Sequence, residues 1–306
     1  MPPARYTLVT VKPAIACVTV TYSPGKYLAQ MLDSLDQATT RGTAVVLADN
    51  GSTDGAAREQ AQRRENVWFV PTGGNVGYGA GVNRGVEALA ALRDKGEIEG
   101  DYLLITNPDV VFDTGSVDAM IDCMRRNPQA GAVGPAIREP DGSPYPSARA
   151  LPTLGNGIGH ALLGGVWKNN PFSRTYRKDR DLSGEHTCGW LSGSCLLVRW
   201  EVFDAIGGFD ERYFMYMEDV DLGDRLARAG WANVYCPTAT VRHDRGHAAG
   251  KHPETMLPAH HASAYRFQAD RHPGWVFAPL RLALRLGLAV RCRAAVVAAR
   301  RRIGKN

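Results

Sequence analysis

The sequence predicts an α/β fold with a mainly parallel central sheet and helices on both faces. Three observations predict it. Short apolar, β-branched runs alternate with segments of helical spacing through the first 110 residues or so. Turn residues separate each run from the next segment. Two polar clusters, Asp49–Asp54 and Asn107–Asp109, fall at strand ends, where open parallel sheets hold their ligands.

Each element follows from its residues. Ile15–Tyr22 (IACVTVTY) is a β-branched run that stops at Ser23-Pro24-Gly25, a buried strand and its turn. Leu28, Met31, Leu32 and Leu35 give Lys26–Ala38 a helical stripe. Ala44–Ala48 is a second strand, followed by a polar helix reaching about Arg64. Val67–Val70 is a third strand, and Gly77–Leu92 begins glycine-rich and becomes a helix. Tyr102–Thr106 is a fourth strand, ending at Asn107-Pro108-Asp109. Pro135–Tyr176, rich in Gly, Pro and Asn, reads as long loops with short elements. Trp190–Arg199 returns to a strand, Glu201–Ile206 is a short helix broken by Gly207-Gly208, and Glu218–Ala229 is a helix stopped at Gly230.

The 306 residues are 44% hydrophobic and 22% charged, near globular averages, which excludes a disordered or fibrous chain. The net charge of +5 is unevenly spread: residues 271–306 hold nine Lys or Arg and no Asp or Glu, leaving 27 basic against 31 acidic elsewhere, a net −4. A mildly acidic body is joined to a strongly basic end, which points to a local anionic contact rather than to nucleic acid. The six cysteines form no CxxC pair and read as mostly buried, reduced thiols of a cytosolic protein. The first fourteen residues lack an apolar core of signal-peptide length, and no stretch is apolar enough to span a bilayer.

Taken one at a time, the candidate functional segments have bland readings. Asn107-Pro108-Asp109 is a common turn, although a strand-end carboxylate can also hold a divalent cation. Asp49–Asp54 is a helix cap or a nucleoside contact. Asn75–Gly85 (NVGYGAGVNRG) lets backbone amides approach phosphate, but it lacks the Gly-Lys-Ser/Thr of a phosphate-binding loop and the GxGxxG spacing of a dinucleotide fold. Gly207–Leu222 gathers Asp210, Glu211, Glu218, Asp219 and Asp221, either as helix N-terminal acids or as a source of a carboxylate base. His243 is a ligand only if Asp109 already holds a metal.

Their order along the chain is more specific than any one of them. From about Ile15 to His243 the sequence resembles the family-2 inverting glycosyltransferases, through Thr21-Tyr22, Asp49–Asp54, Asn75-x-Gly77…Asn83-x-Gly85, Asn107-Pro108-Asp109 and Glu218-Asp219-Val220-Asp221. Asn107-Pro108-Asp109 departs from that family's Asp-x-Asp and leaves Asp109 as the acid. The resemblance implies a GT-A fold over residues 1–250, with a nucleotide-sugar half at about 15–135 and an acceptor half at about 136–250. It implies that Thr21, Tyr22, Asp49, Asn75, Gly77, Asn83, Arg84 and Asn107 bind the nucleotide sugar. Asp109 and His243 would hold Mg²⁺ or Mn²⁺, and Asp219, beside Glu218, would be the general base. Trp190, Ser192 and Gly193 would face the acceptor.

Pro144–Arg149, Gly189–Ser194 and Phe209–Leu226 narrow the resemblance to the branch that moves L-rhamnose from dTDP-rhamnose to O-3 of GlcNAc on a polyprenyl diphosphate. No residue reads as rhamnose-specific, so a UDP-galactofuranose or GDP-mannose donor stays open, as does a non-catalytic nucleotide-sugar-binding subunit. Such an acceptor implies a peripheral enzyme on the cytoplasmic face of the plasma membrane. Residues 251–306 then read as a helical, basic, amphipathic region that meets an anionic leaflet, with Trp275, Phe277, Leu282 and Leu286 among arginines. The competing reading is a terminal helix docked on the body. Nucleic acid is not an expected partner, because the basic residues lie beyond the folded body. A homo-oligomer is left open.

Overall fold

The computed structural model describes residues 13–154, 184–244 and 253–303. The helical spacing and apolar runs of the first half form the expected elements. These are β1 (Ile15–Thr21), α1 (Lys26–Ala38), β2 (Thr43–Asp49), α2 (Ala56–Arg63), β3 (Val67–Pro71), α3 (Tyr78–Asp94) and β4 (Tyr102–Thr106). Then come β5 (Val110–Phe112), α4 (Ser116–Arg126), β6 (Ala130–Arg138), β7 (Pro144–Tyr145) and β8 (Ala148–Arg149). The part of the loop-rich stretch from 155 to 176 lies outside the described residues. After it come β9 (His186–Cys188), β10 (Trp190–Leu191), β11 (Cys195–Arg199), α5 (Trp200–Ala205), α6 (Glu218–Arg228) and β12 (Ala232–His243). The chain closes with α7 (Pro253–Arg271) and α8 (Ala278–Ile303).

The main sheet runs β3-β2-β1-β4-β11-β6-β12-β5. β3, β2, β1 and β4 are parallel, and β6 and β12 form a second parallel pair. β11 joins the two sets by running antiparallel to both β4 and β6. Every residue of β1 and β2 is buried. Their side chains alternate between two cores: Ile15, Cys17, Val45 and Leu47 pack toward α1 and α4, while Ala16, Val18, Val46 and Ala48 pack toward α3 and α5. The strand order reverses between β1 and β4, so a crevice opens at their carboxyl ends, beside Thr21 and Thr106.

Glycines of α3 serve packing. A Cβ on Gly85 would lie 2.6 Å from Val18 Cγ1, and one on Gly81 would lie 3.0 Å from Val20 Cγ2. Their absence lets α3 sit directly on β1. Trp190–Arg199 is not one strand: it splits into β10 and β11 around Ser192–Ser194, because the Ser192 amide turns to bond the Ser147 carbonyl at 2.8 Å.

The two final helices behave differently. α7 is part of the body: Phe267 is fully buried with Tyr213 and Val220, and Ser263 Oγ donates to the Met215 carbonyl at 2.9 Å. α8 packs on α7 and leaves Leu282, Leu286, Val290 and Val297 exposed. The expected separation of basic and apolar faces does not appear. Arg281 turns back to bond the carbonyls of His272 and Gly274, while Arg285, Arg291, Arg293 and Arg300 are exposed, as are those apolar residues. No described helix is long and apolar enough to cross a membrane.

Candidate active site

The site is built where the polar ends of β1, β2 and β4 meet the loops before β11 and α6. On the β2 side, Asp49 is nearly buried and accepts from Thr21 Oγ1 at 2.7 Å and from the Ser52 amide at 3.0 Å, with Ser52 Oγ also bonded to it. These bonds hold the Asp49–Asp54 turn in one conformation beside a cavity of about 250 Å³. Asp49, Ser52, Arg58, Phe69 and Pro71 line that cavity, and the Arg58 guanidinium lies 4.3 Å over the Phe69 ring. Arg58 and Phe69 carried no sequence signal, since one is a surface helix residue and the other a strand residue until the fold brings them together. Tyr22 stands 55% exposed at the mouth of β1, available to a planar ligand.

Asn50 lies inside the Asp49–Asp54 string, but that string assigns it no role of its own. Its amide donates to the Gly77 carbonyl at 3.0 Å and reaches Asn75 Oδ1 at 3.5 Å, while its own oxygen accepts from Thr72. Asn75 Oδ1 in turn accepts from the Gly77 amide at 3.3 Å. Asn50 therefore ties the β2 turn to the start of α3. Arg84 is exposed on α3. Asn83 does not line the cavity beside Asp49: its side chain bonds both backbone groups of Phe209 (2.8 and 2.9 Å) and Glu211 (3.1 Å), so it positions the acidic loop.

At the end of β4, Asp109 Oδ1 and His243 Nε2 are 3.0 Å apart, with Asn107 Nδ2 3.4 Å from the same nitrogen. The antiparallel pairing of β12 with β5 brings them together across 134 residues. His243 Nδ1 is buried with no partner among the described residues. A carboxylate beside an imidazole is a donor set that fits a divalent cation of the Mg²⁺, Mn²⁺ or Zn²⁺ kind.

The acids of Gly207–Leu222 sort into two kinds. Asp210 pairs with Arg212, and Asp221 pairs with Arg225 at 2.7 Å. Glu211 bonds Asn83. Glu218 and Asp219 form no ion pair among the described residues. They follow Tyr216 and Met217, both at positive φ (66° and 68°), a conformation that side-chain-bearing residues adopt at a cost. Asp219 Oδ2 accepts from the Gly193 amide at 3.0 Å, and Oδ1 accepts from the Val220 amide at 2.9 Å. Burial pushes its pKa up, against the lowering pull of those two amides and of Arg149. A carboxylate tuned upward in this way is suited to accept a proton near neutral pH. Glu218 is almost fully enclosed, with Oε2 unpartnered, and burial together with Asp219 pushes its carboxyl up to about 8.

Tyr78 connects these pieces. Its hydroxyl donates to the Gly193 carbonyl at 2.6 Å, on the same residue whose amide holds Asp219. Its phenol is kept neutral, first by burial and then by Glu218, Asp219 and Asp109. The Asn107 amide bonds the Ser194 carbonyl at 2.9 Å, which ties the turn bearing Asp109 to the loop bearing Gly193. Trp190 borders the same loop, its indole donating to the Ala150 carbonyl at 3.0 Å, and Ser192 Oγ lies 3.0 Å from Ser194 Oγ.

The parallel β3-β2-β1-β4 sheet, extended through β11, β6 and β12, is a GT-A-like architecture. The chain belongs to the family described as Glycosyltransferase like family 2, whose model matches residues 13–257. It is 53% identical over 287 residues to the N-acetylglucosaminyl-diphospho-decaprenol L-rhamnosyltransferase of Mycobacterium tuberculosis, covering 93% of this chain and 94% of that one. It is 26% identical over 256 residues to the rhamnosyltransferase WbbL of Escherichia coli K12, covering 83% and 92%. A mannosyltransferase of Pyrobaculum calidifontis, solved with GDP-Man and Mn²⁺, superposes with a TM-score of 0.54 at 18% identity, covering 95% of this chain and 76% of that chain. That likeness carries the fold.

Two outcomes follow from this geometry. In Tyr78→Phe the Gly193 carbonyl loses its donor and the loop that orients Asp219 loosens. We expect kcat for sugar transfer to fall by up to about tenfold, the worth of one hydrogen bond, with donor Kd unchanged in calorimetry. Folded Glu218 keeps its proton up to about 8, whereas an unfolded glutamate loses it near 4.5. Between those values the folded state binds more protons, so stability falls as pH rises. Thermal melts from pH 5 to pH 8 should show a shallower decline for Glu218→Gln than for the wild type, and parallel slopes would refute the raised pKa.

Proposed function

We propose that this chain transfers L-rhamnose from dTDP-rhamnose to O-3 of GlcNAc on GlcNAc-diphospho-polyprenol, with inversion at the anomeric carbon. The observation that carries the reading is the pairing of 53% identity across nearly the whole chain with a half-buried Asp219 that forms no ion pair among the described residues and is held by the Gly193 amide. Asp219 takes the proton from the acceptor hydroxyl as its oxygen bonds to the anomeric carbon. The bond from that carbon to the donor diphosphate breaks, and dTDP leaves with its electron pair. One carboxylate base without an enzyme nucleophile makes this a single displacement.

The nucleoside sits in the cavity beside Asp49, with Tyr22 over the base and Thr21, Asn75, Gly77 and Asn107 along the donor. Arg84 reaches toward the donor from the exposed side of α3. Asp109 and His243 are the residues that would hold Mg²⁺ or Mn²⁺. When bound, the cation supplies positive charge to the departing diphosphate. Trp190, Ser192 and Gly193 border the acceptor. Glu218, protonated beside the base, keeps negative charge from accumulating around Asp219.

The same reading places the enzyme at the cytoplasmic face of the plasma membrane, reached through α8 and the turn before it. Trp275 is 85% exposed and stands beside exposed Val276 and Phe277 in a segment with no acidic residue. Apolar side chains interleaved with arginines suit an anionic interface even without two clean faces. The division into a catalytic body to about residue 250 and a membrane-contacting region after it belongs to this proposal, with α7 serving both.

Two experiments test it. A transfer assay with dTDP-rhamnose and GlcNAc-diphospho-polyprenol should give product with Mg²⁺ or Mn²⁺ and lose it in EDTA. Asp219→Asn should lower turnover by about 10²–10⁴-fold while dTDP-rhamnose still binds in calorimetry, and near-normal turnover would remove Asp219 as the base. In co-sedimentation, vesicles containing phosphatidylglycerol should retain the chain and neutral phosphatidylcholine vesicles should not. Reversing Arg285, Arg291 and Arg293 to Glu should abolish retention, and undiminished binding would refute the electrostatic contact.

A further inference from the structure

We propose that Cys123, Cys236 and Glu185 form a binding site for a thiophilic divalent cation, with zinc the best fit, separate from the transfer site. The sulfurs of Cys123 and Cys236 and a carboxylate oxygen of Glu185 all lie within 4.8 Å of one another. Tetrahedral zinc with bonds of about 2.0–2.3 Å holds its ligand atoms about 3.3–3.8 Å apart, so closure shortens these separations by at most about 1.5 Å. The three residues come from separate elements: the last turn of α4, the middle of β12, and the residue preceding β9. β12 and β9 are brought into register at Tyr235 and His186, next to Cys236 and Glu185. Cys236 lies seven residues before His243, on the order of 20 Å along the strand, so this cluster is distinct from the Asp109–His243 pair.

Both thiols lie in the core below α4, yet polar groups reach each sulfur, the Ala119 carbonyl lying 3.7 Å from Cys236 Sγ. Buried cysteines that act as small hydrophobes sit among apolar neighbours. Here Thr238 Oγ1 is 3.3 Å from Cys236 Sγ, and Asn127 Nδ2 is 3.9 Å from Cys123 Sγ. The Glu185 carboxylate is fixed from outside, accepting from Arg126 at 2.7 Å and from Asn127 at 2.7 Å. Outer-shell bonds of this kind orient a ligating carboxylate. Two thiolates and one carboxylate around a divalent ion sum to −1, and Arg126 offsets it. Mixed sulfur and oxygen donors favour zinc over Mg²⁺ or Mn²⁺, which prefer oxygen alone.

Both cysteine side chains are buried while Glu185 is exposed, so the ion enters from the Glu185 side and keeps a water as its fourth ligand. On binding, two sulfur–metal bonds form and the two thiol protons pass to solvent, with no change of oxidation state. The ion would add a tie between α4, β12 and the lead into β9, segments that already meet through apolar packing and the Arg126–Glu185 ion pair. None of these residues belongs to the donor or acceptor set, so the site stands or falls independently of rhamnose transfer.

Cobalt titration of the full-length, chelator-treated, reduced chain tests this directly. One equivalent of Co²⁺ should produce the near-ultraviolet charge-transfer band of cobalt–thiolate bonds, and zinc should displace it. The Asp109–His243 pair has no sulfur and cannot give that band, so Asp109→Ala should keep it. Cys123→Ser and Cys236→Ser should lose it. Should the buried substitutions fail to fold, the surface change Glu185→Ala should still fold and weaken zinc binding at least tenfold in a competition assay. No band in the wild type, a band unchanged in the cysteine variants, or a Cys123–Cys236 disulfide in the chain as isolated would each overturn the proposal.

Discussion

The architecture of the site depends on one close approach, where the start of α3 meets the loop before α6. Gly77, at φ 95°, presses against the Phe214 carbonyl so closely that a Cβ there would collide with it. The next amide, that of Tyr78, bonds the same carbonyl at 3.0 Å. Gly77 and Phe214 are 137 positions apart, and their contact brings the start of α3 against the loop before α6. From it the Tyr78 hydroxyl reaches Gly193, and Gly193 reaches Asp219. A larger residue at position 77 would push the start of α3 away from the loop before α6 and disturb the Tyr78–Gly193–Asp219 chain of hydrogen bonds.

A second constraint is electrostatic. The segment from Asp210 to Asp221 crowds five acids into twelve residues, a density that repels itself unless cations intervene. Arg212 and Arg225 neutralise Asp210 and Asp221, and Arg271 of α7 contacts Asp224 one turn further on. α7 completes the arrangement by burying Phe267 against Tyr213 and Val220. With its neighbours satisfied, the Glu218-Asp219 pair can be enclosed without an ion partner, and enclosure raises both carboxyls. The helix start holds Asp219 by backbone amides instead of by a cation, which leaves a carboxylate oriented but still basic.

Much of this was legible in the residue order. The strands β1 to β4 appear at their expected positions because uninterrupted apolar runs have no alternative to a two-sided core. The acids Asp109 and Asp219 were visible because their flanking residues form recognisable strings. Less was legible where residues of ordinary character acquire a role through distant partners. Asn50, Tyr78 and Arg58 look like cap, aromatic and surface residues in the sequence. Asn83 lies inside a string that suggests nucleotide contact, yet its amide is spent on Phe209 and Glu211. The glycines of α3 suggested an anion loop, whereas three of them are small because Val18, Val20 and Phe209 lie against them.

The sequence by itself determined the alternation of strand and helix, the polar strand ends, the acids, and the split between an acidic body and a basic end. These are local properties, set by side-chain polarity and spacing within a dozen residues. Tertiary structure alone decided which acid stays unpaired, that His243 stands beside Asp109, that α7 buttresses the site while α8 stays outside it, and that two cysteines from different elements meet a glutamate. Each of these depends on partners roughly 50 to 135 residues apart. Such pairings are fixed by how β11 and β12 insert into the sheet, and no local pattern encodes that insertion.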